Sequence, residues 1–150
     1  LLWDETLGVY LAASEICRQI DIWGNAFLVA HDIGAATRQQ RVAHYLAEQY
    51  DTFMYAGQVR HLPTPQVWDR LFQPVAADTY QNGGYWGTAS GWLIEALQTV
   101  DPALAQRTLH ELIAAYRTNG VVEWVAADGR KGPDLYVATI LNIWSLINRT

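Results

Sequence analysis

The chain has 150 residues, of which 51% are apolar and 17% are charged. This balance suits a single domain over residues 1–150 with a buried core, and it excludes a disordered chain. The formal net charge of -5 argues against nucleic acid as a partner. No apolar run reaches the about 18–20 residues that span a bilayer, so no membrane partner is expected. The single cysteine, Cys17, excludes an internal disulfide and a cysteine-rich zinc site.

Apolar residues at helical spacing predict the elements of the chain in order. Leu7 to Ile20 allows a helix without requiring one, because its periodicity is weak. Asp101-Pro102 and Asn119-Gly120 supply start and stop signals for the fourth of the five clear helices. Three of these helices are apolar on most sides and two are amphipathic, which predicts an inner and an outer layer. In chain order the five are 22–33 (buried), 37–50 (amphipathic), 85–99 (mostly buried), 102–118 (amphipathic) and 134–147 (buried).

Three segments rich in Gly, Pro, Asp and Asn, 51–68, 73–84 and 119–133, are predicted to be connections. A faint repeat supports this division of the chain. Asp21-Ile-Trp23-Gly-Asn-Ala is similar to Gly84-Tyr-Trp86-Gly-Thr-Ala, and Asp134-Leu-Tyr136 opens a looser third copy. A motif that recurs at the start of each buried helix indicates stacked helical hairpins.

Four motifs carry a resemblance to a known family. They are Asp21-Ile-Trp-Gly-Asn-Ala-Phe, Gly57-Gln-Val-Arg-His-Leu-Pro, Tyr80-Gln-Asn-Gly-Gly-Tyr-Trp and Gly120-Val-Val-Glu-Trp. Over about residues 8–147 the chain resembles the six-hairpin (α/α) toroid glycoside hydrolases of the debranching and glucosidase kinds. The resemblance implies an all-α fold, an α/α toroid of helical hairpins in two layers, of which this chain forms a partial ring of two to three hairpins.

The same resemblance makes the chain the C-terminal part of a larger enzyme. The sequence starts at Leu1 rather than Met, which suggests a piece of a longer protein. A missing N-terminal half, or a second copy in a homo-oligomer, is then the expected partner that covers the exposed inner helices.

Glu123 is the best single candidate for a catalytic residue. Glycoside hydrolysis needs two carboxyl groups, one to protonate the leaving oxygen and one to activate water or attack carbon. Glu123 follows a predicted helix stop at Gly120, and Trp124 beside it would desolvate the carboxyl group. The resemblance places the catalytic base at Glu123 and the general acid outside this chain. Without the resemblance, the preferred interpretation of Glu123 is a solvated loop residue.

Asp21 and Asp134 each precede an aromatic residue, Trp23 or Tyr136, at the start of a predicted helix. Either carboxylate could bind sugar hydroxyls. Either could equally cap the helix that follows, which is the preferred interpretation of each Asp taken alone.

Further candidates come from the connecting segments. Gln81 and Asn82 offer donors and acceptors for hydroxyl groups in a Gly-rich turn, with a structural turn as the alternative. Candidate platforms and loop side chains for the sugar are Trp23, Arg60, His61, Tyr85, Trp86, Trp124 and Tyr136. An Arg-His pair more often holds a loop in place than binds a ligand.

These observations predict a glycoside hydrolase, or a fragment of one, with a carbohydrate as substrate. The first alternative is a non-catalytic carbohydrate-binding or scaffold module. The second is a sugar epimerase or uronide-processing enzyme in which histidines transfer protons. No metal or organic cofactor is expected, because the histidine and cysteine spacing matches no zinc motif and no phosphate-binding loop is present.

Overall fold

The computed structural model describes residues 2–13 and 15–147. In this part of the chain there are five α-helices and two antiparallel hairpins, β1–β2 and β3–β4. The helices are α1 (Ile22–Ala30), α2 (Ala36–Glu48), α3 (Ser90–Gln98), α4 (Pro102–Asn119) and α5 (Ala138–Ile147), and the strands are β1 (Trp3–Asp4), β2 (Val9–Tyr10), β3 (Met54–Tyr55) and β4 (Gln58–Val59).

The predicted all-α class, and the partial ring of an α/α toroid with it, is wrong because the described chain is mixed α and β. The hairpin β3–β4 was missed because of the residues in its turn. Ala56 and Gly57 both have positive φ, 52° and 73°, which is the backbone form that closes a two-residue hairpin. Because Ala is unusual at a position with positive φ, nothing in the sequence indicated this hairpin, and its residues were assigned to the connection 51–68.

Single bridges extend β3–β4 into a longer, irregular sheet. Val59 pairs with Trp86, Tyr85 pairs with Val125, and a further bridge joins Val125 to Lys131. Two of the predicted connections, 51–68 and 119–133, therefore meet the start of the predicted helix 85–99 along one sheet. The candidate residues Tyr85 and Trp86 form part of this sheet.

The helix α3 is the central element of the helical part, since it packs against each of the other four helices. Gly91 allows the close approach of α3 to α5. A Cβ atom at Gly91 would lie 2.9 Å from the backbone of Asn142 in α5, so only glycine fits this crossing. The buried core joins these helices to the hairpin β3–β4, with Leu46, Phe53, Leu93, Leu97 and Leu112 among its largest fully buried side chains.

The prediction for α4 is confirmed almost to the residue. Asp101 caps the helix, its side chain accepting a hydrogen bond from Leu104 N at 2.9 Å. Pro102 occupies the first turn, and the helix ends at Gly120, whose φ is 80°. Local signals alone set these bounds.

Two other helix interpretations need correction. The predicted helix 85–99 begins only at Ser90, because Tyr85 and Trp86 are held in the sheet. The segment from Leu7 to Ile20 forms β2 and a bridge from Leu11 to Ile20 instead of a helix.

Of the three helices predicted to be buried, α3 is mostly buried as expected, whereas α1 and α5 are only partly buried in the described structure. In α5 the buried residues are Thr139 and Ile143, while Trp144 is 65% exposed. In α1 Phe27 is exposed, and one side, with Ile22, faces the core. The apolar sequences of α1 and α5 thus predicted more burial than the described structure gives these two helices.

Candidate functional site

Asp21 and His61 meet at the N-terminus of α1. The Asp21 side chain accepts a hydrogen bond from Trp23 N at 3.2 Å, so its predicted role as an N-cap is confirmed. His61 Nδ1 lies 3.2 Å from the same carboxylate, and Ile22 N donates to the His61 carbonyl at 2.8 Å. His61 is 14% exposed and Asp21 32%. Asp21 therefore both caps the helix and orients the imidazole.

A row of rings continues from this pair. The indole of Trp23 stacks on His61 with ring centroids 3.9 Å apart and meets Trp86 edge-on at 5.6 Å. Trp86 in turn lies 6.1 Å from Tyr136. We call these four residues, His61, Trp23, Trp86 and Tyr136, the aromatic row. The three aromatic positions of the sequence repeat, far apart in the chain, thus lie side by side.

The indoles of the aromatic row are fixed by backbone carbonyls. Trp23 Nε1 donates to Val59 O at 3.2 Å, and Trp86 Nε1 donates to Tyr80 O at 3.1 Å. Trp86 is almost fully buried, whereas Trp23 and Tyr136 are half-buried. The row consequently presents rings that are held rigidly and are still partly open to a ligand.

Two aromatic residues that the sequence analysis did not assign to the site flank the row. Trp68 lies 5.9 Å from His61, and Tyr80 lies 5.2 Å from Trp86. Both line a cavity of about 340 Å³ under the segment 68–82, at whose edge Phe72 is fully exposed. Trp68 was detectable as one more Trp in a long connection, and Tyr80 opens the Gly-rich motif that precedes Trp86.

Arg60 and Tyr85, predicted for the same site, lie in a different environment. Successive side chains of an extended strand point to opposite faces. Arg60 and His61 are neighbours in sequence, as are Tyr85 and Trp86, and their contacts divide accordingly. The guanidinium of Arg60 lies 5.9 Å from the ring of Tyr85, and neither residue has a ring contact with the aromatic row.

Arg60 is only 3% exposed and serves first to hold a loop, as the alternative interpretation of the Arg-His pair proposed. Its Nη2 donates to Gln66 O at 2.7 Å and to Asp78 Oδ1 at 3.0 Å. Asp78, with Asp128 and Arg130, was not predicted. Arg130 hydrogen bonds lower the pKa of Asp128, and Asp128 in turn raises the pKa of Arg130.

Gln81 and Asn82 are structural residues in this arrangement. The buried Asn82 side chain accepts from Trp68 N at 2.9 Å and donates to Val75 O at 2.9 Å, so both ends of its amide are used. Gln81 is exposed, and its carbonyl accepts from Trp68 Nε1 at 2.9 Å. The turn alternative therefore describes Asn82 better than hydroxyl recognition does.

Glu123 and Trp124 lie on an extended segment of the irregular sheet. Glu123 N donates to Pro133 O at 2.9 Å, and its half-buried side chain forms no hydrogen bond or ion pair with any described residue. Trp124 packs over two glycines, since a Cβ atom at Gly84 or Gly132 would lie 3.1 or 2.6 Å from its indole. Of the two glycines before Tyr85, Gly84 is thus explained by packing.

Asp134 differs from Asp21. It does not cap a helix, because α5 begins four residues later, at Ala138, so the cap interpretation is wrong here. Its exposed carboxylate pairs with Lys131 Nζ at 3.1 Å. Tyr136 N, by contrast, donates to Val121 O at 3.2 Å, which fixes the end of the aromatic row to the segment that carries Glu123.

The described residues contain no group of three or more His, Cys, Asp or Glu side chains that could hold a metal ion. Among the helices described, none is long and apolar enough to cross a membrane. The chain matches no protein-family model, no curated protein and no solved structure.

Proposed function

We propose that this chain acts in glycoside hydrolysis, binding a sugar along the aromatic row and using Glu123 as the general base. The convergence of Trp23, Trp86 and Tyr136 carries the proposal. A sugar ring has an apolar C–H face and a rim of hydroxyl groups. Half-buried Trp and Tyr rings suit the face, and a carboxylate beside an imidazole, as in Asp21 and His61, suits the hydroxyl groups.

The position of Glu123 supports its part in the proposal. Its carboxylate is left unpaired by the described residues, so it can accept a proton from water. The segment that carries it is bound to the row through Tyr136 N and Val121 O. The mechanism requires a second carboxyl group as general acid, and we assign that role to no residue of this chain.

A second candidate is proton transfer by His61, as in an epimerase or a uronide-processing enzyme. The contact between His61 Nδ1 and Asp21 favours it, because a carboxylate in that position orients an imidazole for acid–base catalysis. Nε2 of His61 is buried and has no hydrogen-bond partner among the described residues. A substrate would have to displace the residues that bury Nε2 before it could reach this atom. We therefore place the hydrolase first.

The test measures turnover of glucosides, galactosides, rhamnosides and uronides by the full-length protein, with Trp fluorescence as the binding signal. Glu123→Gln keeps the size of the side chain and removes the base. We expect hydrolysis to fall by about 10²-fold or more, the usual effect of losing an acid–base group, while the fluorescence response remains. Glu48→Gln, the same change at an exposed residue of α2, is the matched control and should leave turnover unchanged.

Other results would replace the proposal. Unchanged turnover in Glu123→Gln together with loss of turnover in His61→Ala would favour the second candidate. A fluorescence response without turnover in the wild-type protein would favour a non-catalytic binding module. No response to any of the four sugar classes would overturn carbohydrate binding along the aromatic row.

A further inference from the structure

The irregular sheet has a second face behind the aromatic row. A cavity of about 300 Å³ lies on the Tyr85 side, which is within the usual size of small-molecule sites, about 300–1,000 Å³. We call it the Arg–Asp cavity. Its lining residues come from three separate segments, and those used below are Arg60, Asp78, Gly83, Tyr85, Asp128 and Arg130.

Arg60 is the buried polar side chain of this cavity. Its Nε is buried and has no hydrogen-bond partner in the described structure, although burying an unpaired donor costs free energy. The chain makes room for the guanidinium at Gly83, where a Cβ atom would lie 2.6 Å from Arg60 Nη2. Gly83 also has a φ of 120°, a conformation that favours glycine. The absence of a side chain at Gly83 therefore leaves the space that the guanidinium of Arg60 occupies.

Charges alternate around the cavity. Arg60 pairs with Asp78 at 3.0 Å, and Arg130 pairs with Asp128 at 2.7 Å. Two guanidinium and two carboxylate groups cancel in formal charge, so neither an anion nor a cation finds an excess of opposite charge. A hydroxyl group both donates and accepts, and it can therefore bind to either kind of side chain.

One wall of the cavity is aromatic. That wall is formed by the ring of Tyr85, and the ring of the half-exposed Tyr55, which does not line the cavity, lies 5.4 Å from it. An apolar ring face beside alternating donors and acceptors matches a neutral ligand that has both an apolar face and many hydroxyl groups. A pyranose ring is such a ligand.

We propose that the Arg–Asp cavity binds a neutral pyranose, with the sugar ring against Tyr85 and its hydroxyl groups on Asp78, Asp128 and Arg130. Binding here is separate from the aromatic row and does not need Glu123. The cavity would thus hold a second sugar unit of the saccharide bound at the aromatic row, or a separate saccharide molecule. This proposal does not depend on the hydrolase proposal.

The experiment is an amide NMR titration of the full chain with methyl α-glucoside, methyl α-galactoside and methyl α-mannoside. Signals of Ala126 and Ala127, which line the cavity, report on this site, and the indole signal of Trp23 reports on the aromatic row. We expect at least one sugar to shift the Ala126 and Ala127 signals. Arg130→Gln and Asp128→Asn, at half-exposed positions, should each weaken that response about tenfold and leave the Trp23 response intact.

The reciprocal variant Trp23→Phe should leave the Ala126 and Ala127 response unchanged. Absence of a shift at these alanines with all three sugars would overturn the proposal. So would a shift with glucuronate but with none of the neutral sugars, since that result describes an anion site. Equal affinity in Arg130→Gln, Asp128→Asn and the wild-type protein would overturn it as well.

Discussion

The two faces of the irregular sheet are made from neighbouring residues and have opposite chemistry. On one face Trp86 and His61 join a row of rings, and the carboxylate of Asp21 lies against the imidazole of His61. On the other face Tyr85 and Arg60 join two ion pairs around a cavity. A shift of one residue in the register of either strand would exchange the two environments.

This difference shows how a few extended residues can serve two sites. The segment from Gly84 to Trp86 is held at both edges, by Val59 on one side and by Val125 on the other. Backbone pairing fixes the register, and alternation then assigns each side chain to its face. Variants that act on the shared backbone should affect both faces, and variants on one face should affect only that face.

The largest effect is expected from Gly57→Ala, in the turn that both faces share. A Cβ atom there would lie 2.7 Å from Leu112 Cα in α4, and Gly57 has a positive φ of 73°. Steric overlap and backbone strain together should lower the free energy of unfolding by about 3–5 kcal/mol, measured by chemical denaturation.

Gly129→Ala is the matched control for that variant. Its φ is 91°, yet no described atom lies within 4 Å of the added Cβ, so only the strain of about 1–2 kcal/mol should remain. Equal losses in the two variants would show that the contact with α4 contributes nothing. Loss of one face only, seen in the NMR signals of Gly57→Ala, would contradict the view that both depend on one turn.

The sequence predicted the ends of helices correctly where the interactions that set them are local. Asp101-Pro102 and Gly120 define α4, and Asp21 caps α1, because these signals act within one helical turn. The apolar spacing from Tyr85 onward indicated a helix, but pairing with Val59 and Val125 holds these residues extended. Those partners lie far away in the sequence, so spacing within the segment could not reveal them.

The same limit applies to the candidate site. The residues of the aromatic row were named from the sequence, since the repeat marked Trp23, Trp86 and Tyr136. Their division from Arg60 and Tyr85 was not predicted, because alternation matters only once the strands are known. Asp78, Asp128 and Arg130 lie in turns with no motif around them, so only the fold brings them to Arg60.

An intermediate effect is expected from Tyr116→Phe, beneath the aromatic row. The hydroxyl of Tyr116 donates to Thr139 O at 2.9 Å and lies against Gly87, next to Trp86. Losing this hydrogen bond should cost about 1 kcal/mol at neutral pH. The effect on the row can be read from the Trp86 indole signal, which should shift while Ala126 and Ala127 do not.

The pH dependence of this variant has a definite sign. Burial raises the pKa of Tyr116 above its usual value, so the folded state keeps a proton that the unfolded chain loses above about pH 10. The stabilisation by Tyr116 is therefore present at neutral pH and is lost as the pH rises. Urea denaturation at several alkaline pH values should show Tyr116→Phe losing less stability than the wild type. An equally steep loss in both would contradict the assignment, and Tyr55→Phe, a half-exposed control, should follow the wild type.

The smallest effect is expected from Asp21→Asn, at the polar end of the aromatic row. Asn caps a helix about as well as Asp, so the variant removes mainly the charge that faces His61 and the helix N-terminus. Asp101→Asn makes the same change at the cap of α4, where the side chain bonds Leu104 N and forms no ion pair with a described residue. The difference in unfolding free energy between the two variants isolates the contact with His61, and we expect it to be about 0.5 kcal/mol. If Asp21→Asn costs no more than Asp101→Asn, the carboxylate does not hold the imidazole, and the stacking of His61 on Trp23 must rest on ring packing and the His61 backbone alone.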